Sequence, residues 1–112
     1  MPEKFVVQLS SQAKKDLKEI TSYLYFWQDW YDNFLSADKT INSIRQKIRS
    51  LAIFPEGYSL VELPYKTKYQ YRRVHVKHCN IYFIVDSEHK KVIVTSIVDA
   101  RQNPKKTQTR LS

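Results

Sequence analysis

Glycine is nearly missing from this chain of 112 residues: Gly57 stands alone. A glycine-rich phosphate loop and a long flexible linker are both excluded by that scarcity. Cysteine is just as rare. Cys79 by itself can form no intramolecular disulfide and no cysteine-based metal cluster, which suits a reducing, cytoplasmic setting. No apolar run is long enough for a membrane span. The opening stretch from Met1 to Leu9 lacks the charged lead, apolar run and small-residue cleavage site of a signal peptide, so none is expected. Acidic residues are scarce in one region only. Residues 1–65 carry eight Lys/Arg and eight Asp/Glu, whereas residues 66–112 carry eleven and three, so the whole net charge of +8 lies in the second part. That asymmetry points to a polyanion or an acidic partner protein. The plainer alternative is a solvated basic face that aids solubility.

What is present fits one domain with a modest core, since 42% of the residues are hydrophobic. Phe5-Val6-Val7-Gln8-Leu9 is a short apolar, β-branched run and reads as a strand. Ser10 or Ser11 offers a helix cap. Ala13, Leu17, Ile20 and Leu24 then recur at spacings of three and four, which predicts an amphipathic helix over 11–27. A second helix, capped by Asp32 or Asn33, follows from Phe34, Ala37, Ile41, Ile44, Ile48 and Leu51, and stops at Phe54-Pro55. Two helices so closely joined predict a helical hairpin. Residues 55–68, with Pro55, Gly57 and Pro64, read as a loop.

The period then changes. Val74 and Val76 alternate with Arg73, His75 and Lys77; Cys79, Ile81, Phe83 and Val85 alternate with Asn80, Tyr82 and Ile84. Residues 86–90 are polar and read as a hairpin loop, and Val92 to Val98 is almost continuously β-branched, as in a central, covered strand. The expected fold is α+β: an N-terminal strand, then an antiparallel helical hairpin packed on one face of a small antiparallel sheet, in the order β-α-α-β-β-β. Residues 1–104 form the expected domain and 105–112 a basic, flexible tail.

Several of these segments together resemble a known superfamily. Residues 9–24 carry Asp16-Leu17, Ile20 and Tyr23-Leu24 at the spacing of the first helix of ParE-type toxins. Leu51-Ala52-Ile53-Phe54-Pro55 is similar to the end of that family's second helix. Tyr71-Arg72-Arg73-Val74-His75-Val76, then Ile81-Tyr82-Phe83-Ile84-Val85-Asp86, then Val92-Ile93-Val94 and Ile97-Val98-Asp99-Ala100-Arg101-Gln102-Asn103-Pro104 resemble its three-strand ending. The likeness covers about residues 4–104 and rests on the concurrence of segments in order. It implies a RelE/ParE toxin of a type II toxin–antitoxin system, silenced by an acidic antitoxin in a hetero-oligomer. RelE-like members cleave mRNA on the ribosome without a metal; ParE-like members block DNA gyrase and have no catalytic activity of their own.

The cleavage reading needs a group to activate the 2′-hydroxyl, cations to stabilise the phosphorane, and an acid for the leaving oxygen. Arg73, His75 and Lys77 alternate along one strand and are expected on one face. Histidine titrates near neutrality and suits proton transfer, and arginine's planar fork suits phosphate. Arg101 matches the family's arginine after the last strand and completes the candidate catalytic set. Arg72, His78, Asn80, Lys105 and Lys106 are candidate RNA-binding residues. The sequence also departs from the RelE pattern. Asn80 replaces its usual arginine, Phe83 replaces a frequent tyrosine, and residues 102–112 hold neither Tyr nor His. The charge asymmetry makes translation inhibition through metal-independent mRNA cleavage the expected function; gyrase inhibition, which these departures favour, and a general nucleic-acid-binding module, which charge alone permits, are the alternatives. Whether the chain is an enzyme stays open at this point. Each candidate also has a plain structural role: His75 as an exposed strand residue, His78 at a turn, Arg73 and Arg101 in surface pairs with Asp99, Arg72 snorkelling toward the helix layer. No cofactor is expected, and Asp86, Glu88 and His89 in one loop are too local a group for a metal.

Overall fold

The computed structural model describes residues 4–31 and 34–99, with the side chains of 27–36 outside the description. Strand β1 (Val6–Leu9) leads into α1 (Ser11–Tyr31) and α2 (Phe34–Ser50). A short 3-10 turn at Pro55–Gly57 precedes β2 (Ser59–Leu60), β3 (Arg72–Val76), β4 (Cys79–Asp86) and β5 (Lys91–Asp99). No helix among the described residues is long and apolar enough to cross a membrane.

Ser10 settles where α1 begins. Its Oγ accepts the N–H of Ala13 at 3.1 Å, satisfying one of the orphan donors of the first turn. The same hydroxyl donates to Thr95 O at 3.0 Å and ties the helix start to β5. Ala13 and Ile20 are buried on the face toward the sheet, and α2 buries Ala37, Ile41, Ile44 and Ile48 at spacings of four, three and four. The Tyr25 hydroxyl donates to Asp38 across the hairpin. That bond to a carboxylate raises the Tyr25 pKa above its ordinary value, because ionising the phenol would forfeit it.

The five strands lie in the order β1-β5-β4-β3-β2. The last three pair antiparallel, as their short connections require. β1 instead runs parallel to β5, with Val6 beside Lys91 and Leu9 beside Val94. The sheet is therefore mixed, where an antiparallel one was expected. The long excursion through both helices supplies the crossover that a parallel neighbour needs. Residues 55–68 also depart from a plain loop, because Ser59 and Leu60 pair with Arg73 and Arg72 as β2.

The main core lies between the helices and the sheet. Ile44, Leu51, Ile81, Phe83, Val92 and Val94 are fully buried there, with Val74 and Val76 against them. Burying a side chain of this size stabilises the fold by about 1.5–3 kcal/mol. β5 outlasts β1, so the N–H of Ile97 would be left without a strand partner. Asp16, 1% exposed, lies in the apolar stripe of α1 and accepts that N–H at 3.0 Å, while Gln12 Nε2 donates to its other oxygen at 2.8 Å.

Candidate functional site

The face of the sheet away from the helices holds three of the six described candidates, Arg73, His75 and Asn80. Alternation along β3 puts Val74 and Val76 in the core and Arg73 and His75 on the far side, both exposed. The β3–β4 register sets His75 opposite Asn80 and Arg73 opposite Tyr82. His75 Nδ1 and Asn80 Oδ1 are 2.9 Å apart. An amide oxygen only accepts, so this contact is a hydrogen bond when Nδ1 carries a proton.

The other candidates lie elsewhere. Arg72 shares the helix-side face with Val74, and its guanidinium donates to Tyr58 O at 2.6 Å. Tyr58 in turn meets Phe83 edge-on, with ring centroids 5.8 Å apart, so Arg72 clamps the edge of the core. Lys77 leaves the strand. It begins the two-residue reversal between Val76 and Cys79 with φ at 56°. Lys77 and His78 line a cavity of about 260 Å³ with Ile20, Leu24, Thr40, Cys79 and Asp99, on the side of the helices. Arg101, Lys105 and Lys106 lie outside the described residues, as do the Asp32 or Asn33 cap and the basic tail. The structure therefore brings together Arg73, His75 and Asn80, and separates Arg72, Lys77 and His78 from them.

The far face is also less open than the alternation alone suggests. Tyr82 and Val98 are buried on it by Val61, Leu63 and Tyr71 of the segment between β2 and β3. Ser96, opposite Tyr82, is fully buried, and its hydroxyl has no hydrogen-bond partner among the described residues. One signal in the sequence points this way: a strand as uniformly β-branched as β5 needs cover on both faces.

At the β4–β5 hairpin, Asp86, Glu88 and His89 each place one potential ligand atom within 4.8 Å of the others. Asp86 already accepts from the N–H of His89 at 3.1 Å and lies 2.8 Å from its Nδ1. The His89 side chain, then its backbone N–H, hold the Asp86 pKa below the ordinary carboxylate value by favouring the charged form.

A strand, a helical hairpin and a sheet covered by it on one side define an α+β protein whose segment order is that of the RelE/ParE superfamily. The family model described as the ParE toxin of the type II toxin–antitoxin system, parDE, matches residues 7–104. The chain belongs to that family, and a toxin of this class has a cognate antitoxin as partner. A comparison with curated proteins gives no match.

Proposed function

We propose that this toxin arrests growth by binding and poisoning DNA gyrase, with no bond-breaking chemistry of its own. The observation that supports this reading is the dispersal of the cationic row. Cleaving RNA requires a base, an acid and phosphate-stabilising cations within reach of one phosphate. Arg72 is engaged by Tyr58 O, Lys77 turns out of the strand, and Tyr82 lies beneath covering residues. Among the described candidates, Arg73 and His75 are left on this face as one cation and one histidine.

A second reading, ribosome-dependent mRNA cleavage, draws on the His75–Asn80 contact, which ties the ring to the face that also exposes Arg73. One experiment separates the two. The toxin is expressed without antitoxin, alongside a chain carrying both Arg73→Ala and His75→Ala. The expected result is growth arrest by both chains, accumulation of covalent gyrase–DNA adducts, and uncut transcripts in primer extension. Loss of arrest in the double variant, together with cut transcripts in the wild type, overturns the gyrase reading.

A further inference from the structure

One edge of the sheet is β1, which has β5 on its inner side. Val6 N–H donates to Lys90 O and Ser10 N–H to Val94 O, each at 2.9 Å, so even-numbered residues of this stretch turn their main-chain groups toward β5. Odd-numbered residues turn theirs outward. Phe5 is already engaged there: its N–H donates to Ala52 O at 2.8 Å, and Lys4 bridges Ile53 in the antiparallel sense. The fold itself thus shows that this edge takes an antiparallel neighbour. Upstream of Ala52 the chain belongs to the end of α2, so that neighbour reaches no further along β1. Among the described residues, nothing pairs with the outer side of β1 beyond Phe5. Val7 and Leu9 are left with N–H and C=O groups directed outward, a template for a further strand.

The open stretch has a centre. It begins at Val6, past the contact with Ala52 and Ile53, and ends at Ser10, where α1 takes over. Its midpoint is Gln8, with the outward-facing Val7 and Leu9 on either side. A second copy turned by half a revolution about an axis at Gln8 meets it in register, with Val7 of each copy opposite Leu9 of the other. Each such pair exchanges two bonds, so every outward group of both stretches is used. Val6 to Ser10 carries no charge, so the axis sets no like charges together and offers a charged partner nothing to pair with. Val6, 57% exposed, and Gln8 share the face away from the helices. The Gln8 amide holds donors and an acceptor, and so matches its own copy across the axis. Val7 and Leu9 pack against the main core, and pairing carries that apolar layer from one copy to the next.

We propose that two copies of this chain associate through β1, antiparallel about a two-fold axis at Gln8, so that their two sheets join into one continuous sheet. The contact is short, and the dimer is accordingly weak and reversible. It is independent of the gyrase reading, which growth arrest and adduct assays test separately.

Sedimentation equilibrium of the full chain, followed up to about 1 mM, reads the association. Dimers are expected, and they tighten as salt rises, because screening relieves the repulsion between two chains of net charge +8. Gln8→Lys and Gln8→Glu each set like charges against one another at the axis, and each weakens dimerisation by about tenfold or more. Gln8 is exposed, so the fold tolerates both changes. Mixing the two variants restores association as a heterodimer, which a damaged fold could not do. Amide exchange by NMR locates the contact. Raising the concentration slows Val7 and Leu9 and leaves Val6 and Gln8, whose N–H groups face β5, unchanged. Four results overturn the proposal: a chain that stays monomeric over the whole range, a Gln8→Lys chain that dimerises as well as wild type, mixed variants that stay apart, or protection gained on another strand instead of β1.

Discussion

The two faces of the sheet are built from the same strands and do different work. On the helix side, Ile81, Phe83, Val92, Val94 and Ile97 are at most 1% exposed and packed beneath α1 and α2. On the far side, Tyr82 and Val98 are covered by a single connecting segment, and Arg73 and His75 meet water. The difference follows from supply. Two amphipathic helices can cover one face only, and the other is left to a loop that shields part of it. Stability is concentrated on the helix side, which frees the opposite face to carry charge.

The sharpest way to break this comparison is Phe83→Ala. Phe83 is fully buried and lies next to Tyr82 in the chain, on the opposite face. Its loss is expected to cost about 3–5 kcal/mol, from lost burial plus the cavity left behind. Urea unfolding measures it, with the Arg73→Ala, His75→Ala chain as reference, expected within about 1 kcal/mol of wild type. Comparable losses in the two chains would mean that the far face carries the fold as well.

A smaller effect comes from Asp16→Ala. It leaves the Ile97 N–H and the Gln12 amide without the carboxylate that joins them. The expected cost is about 1–3 kcal/mol, the range for a buried donor left unpaired. The amide of Ile97 should then exchange faster, while amides in the middle of β4 hold. An unaltered Ile97 rate would show that some other group seals that end of β5.

The smallest effect is a matter of pH. Asp86 is half-buried at the end of β4, and its pKa is lowered in the folded chain by its bonds to His89. A carboxylate depressed on folding contributes stability that is complete above its unfolded value and is lost as pH falls through the folded one. The wild type should thus lose slightly more stability than Asp86→Asn on acidification below the ordinary Asp range. Denaturation midpoints measured at neutral and acid pH check this; parallel losses in the two chains would remove Asp86 from the account.

Much of the fold was legible from residue spacing. Ala13, Ile20, Ile41, Ile44 and Ile48 mark helices, and the alternation from Val74 to Val85 marks a hairpin, because burial on one side imposes a period. Periodicity does not name a strand's neighbour. The parallel seating of β1 depends on which edge the helices leave free, and β2 is too short to show a period at all. Lys77 was misleading for a related reason. The alternation runs on through it, yet the chain must reverse between Val76 and Cys79 without a glycine, and Lys77 takes the left-handed backbone. Asp16 did carry a signal, since it lies three residues from Ala13 and four from Ile20, inside the apolar stripe.

The seating of the first strand has a consequence for synthesis. β1 pairs with β5, and Ser10 holds Thr95 across 85 residues of chain. Contacts so distant in sequence form late, after the intervening loop has been closed. A nascent chain keeps its opening strand unseated until β5 has emerged from the ribosome, so for most of its synthesis the edge of β1 is open to other strands.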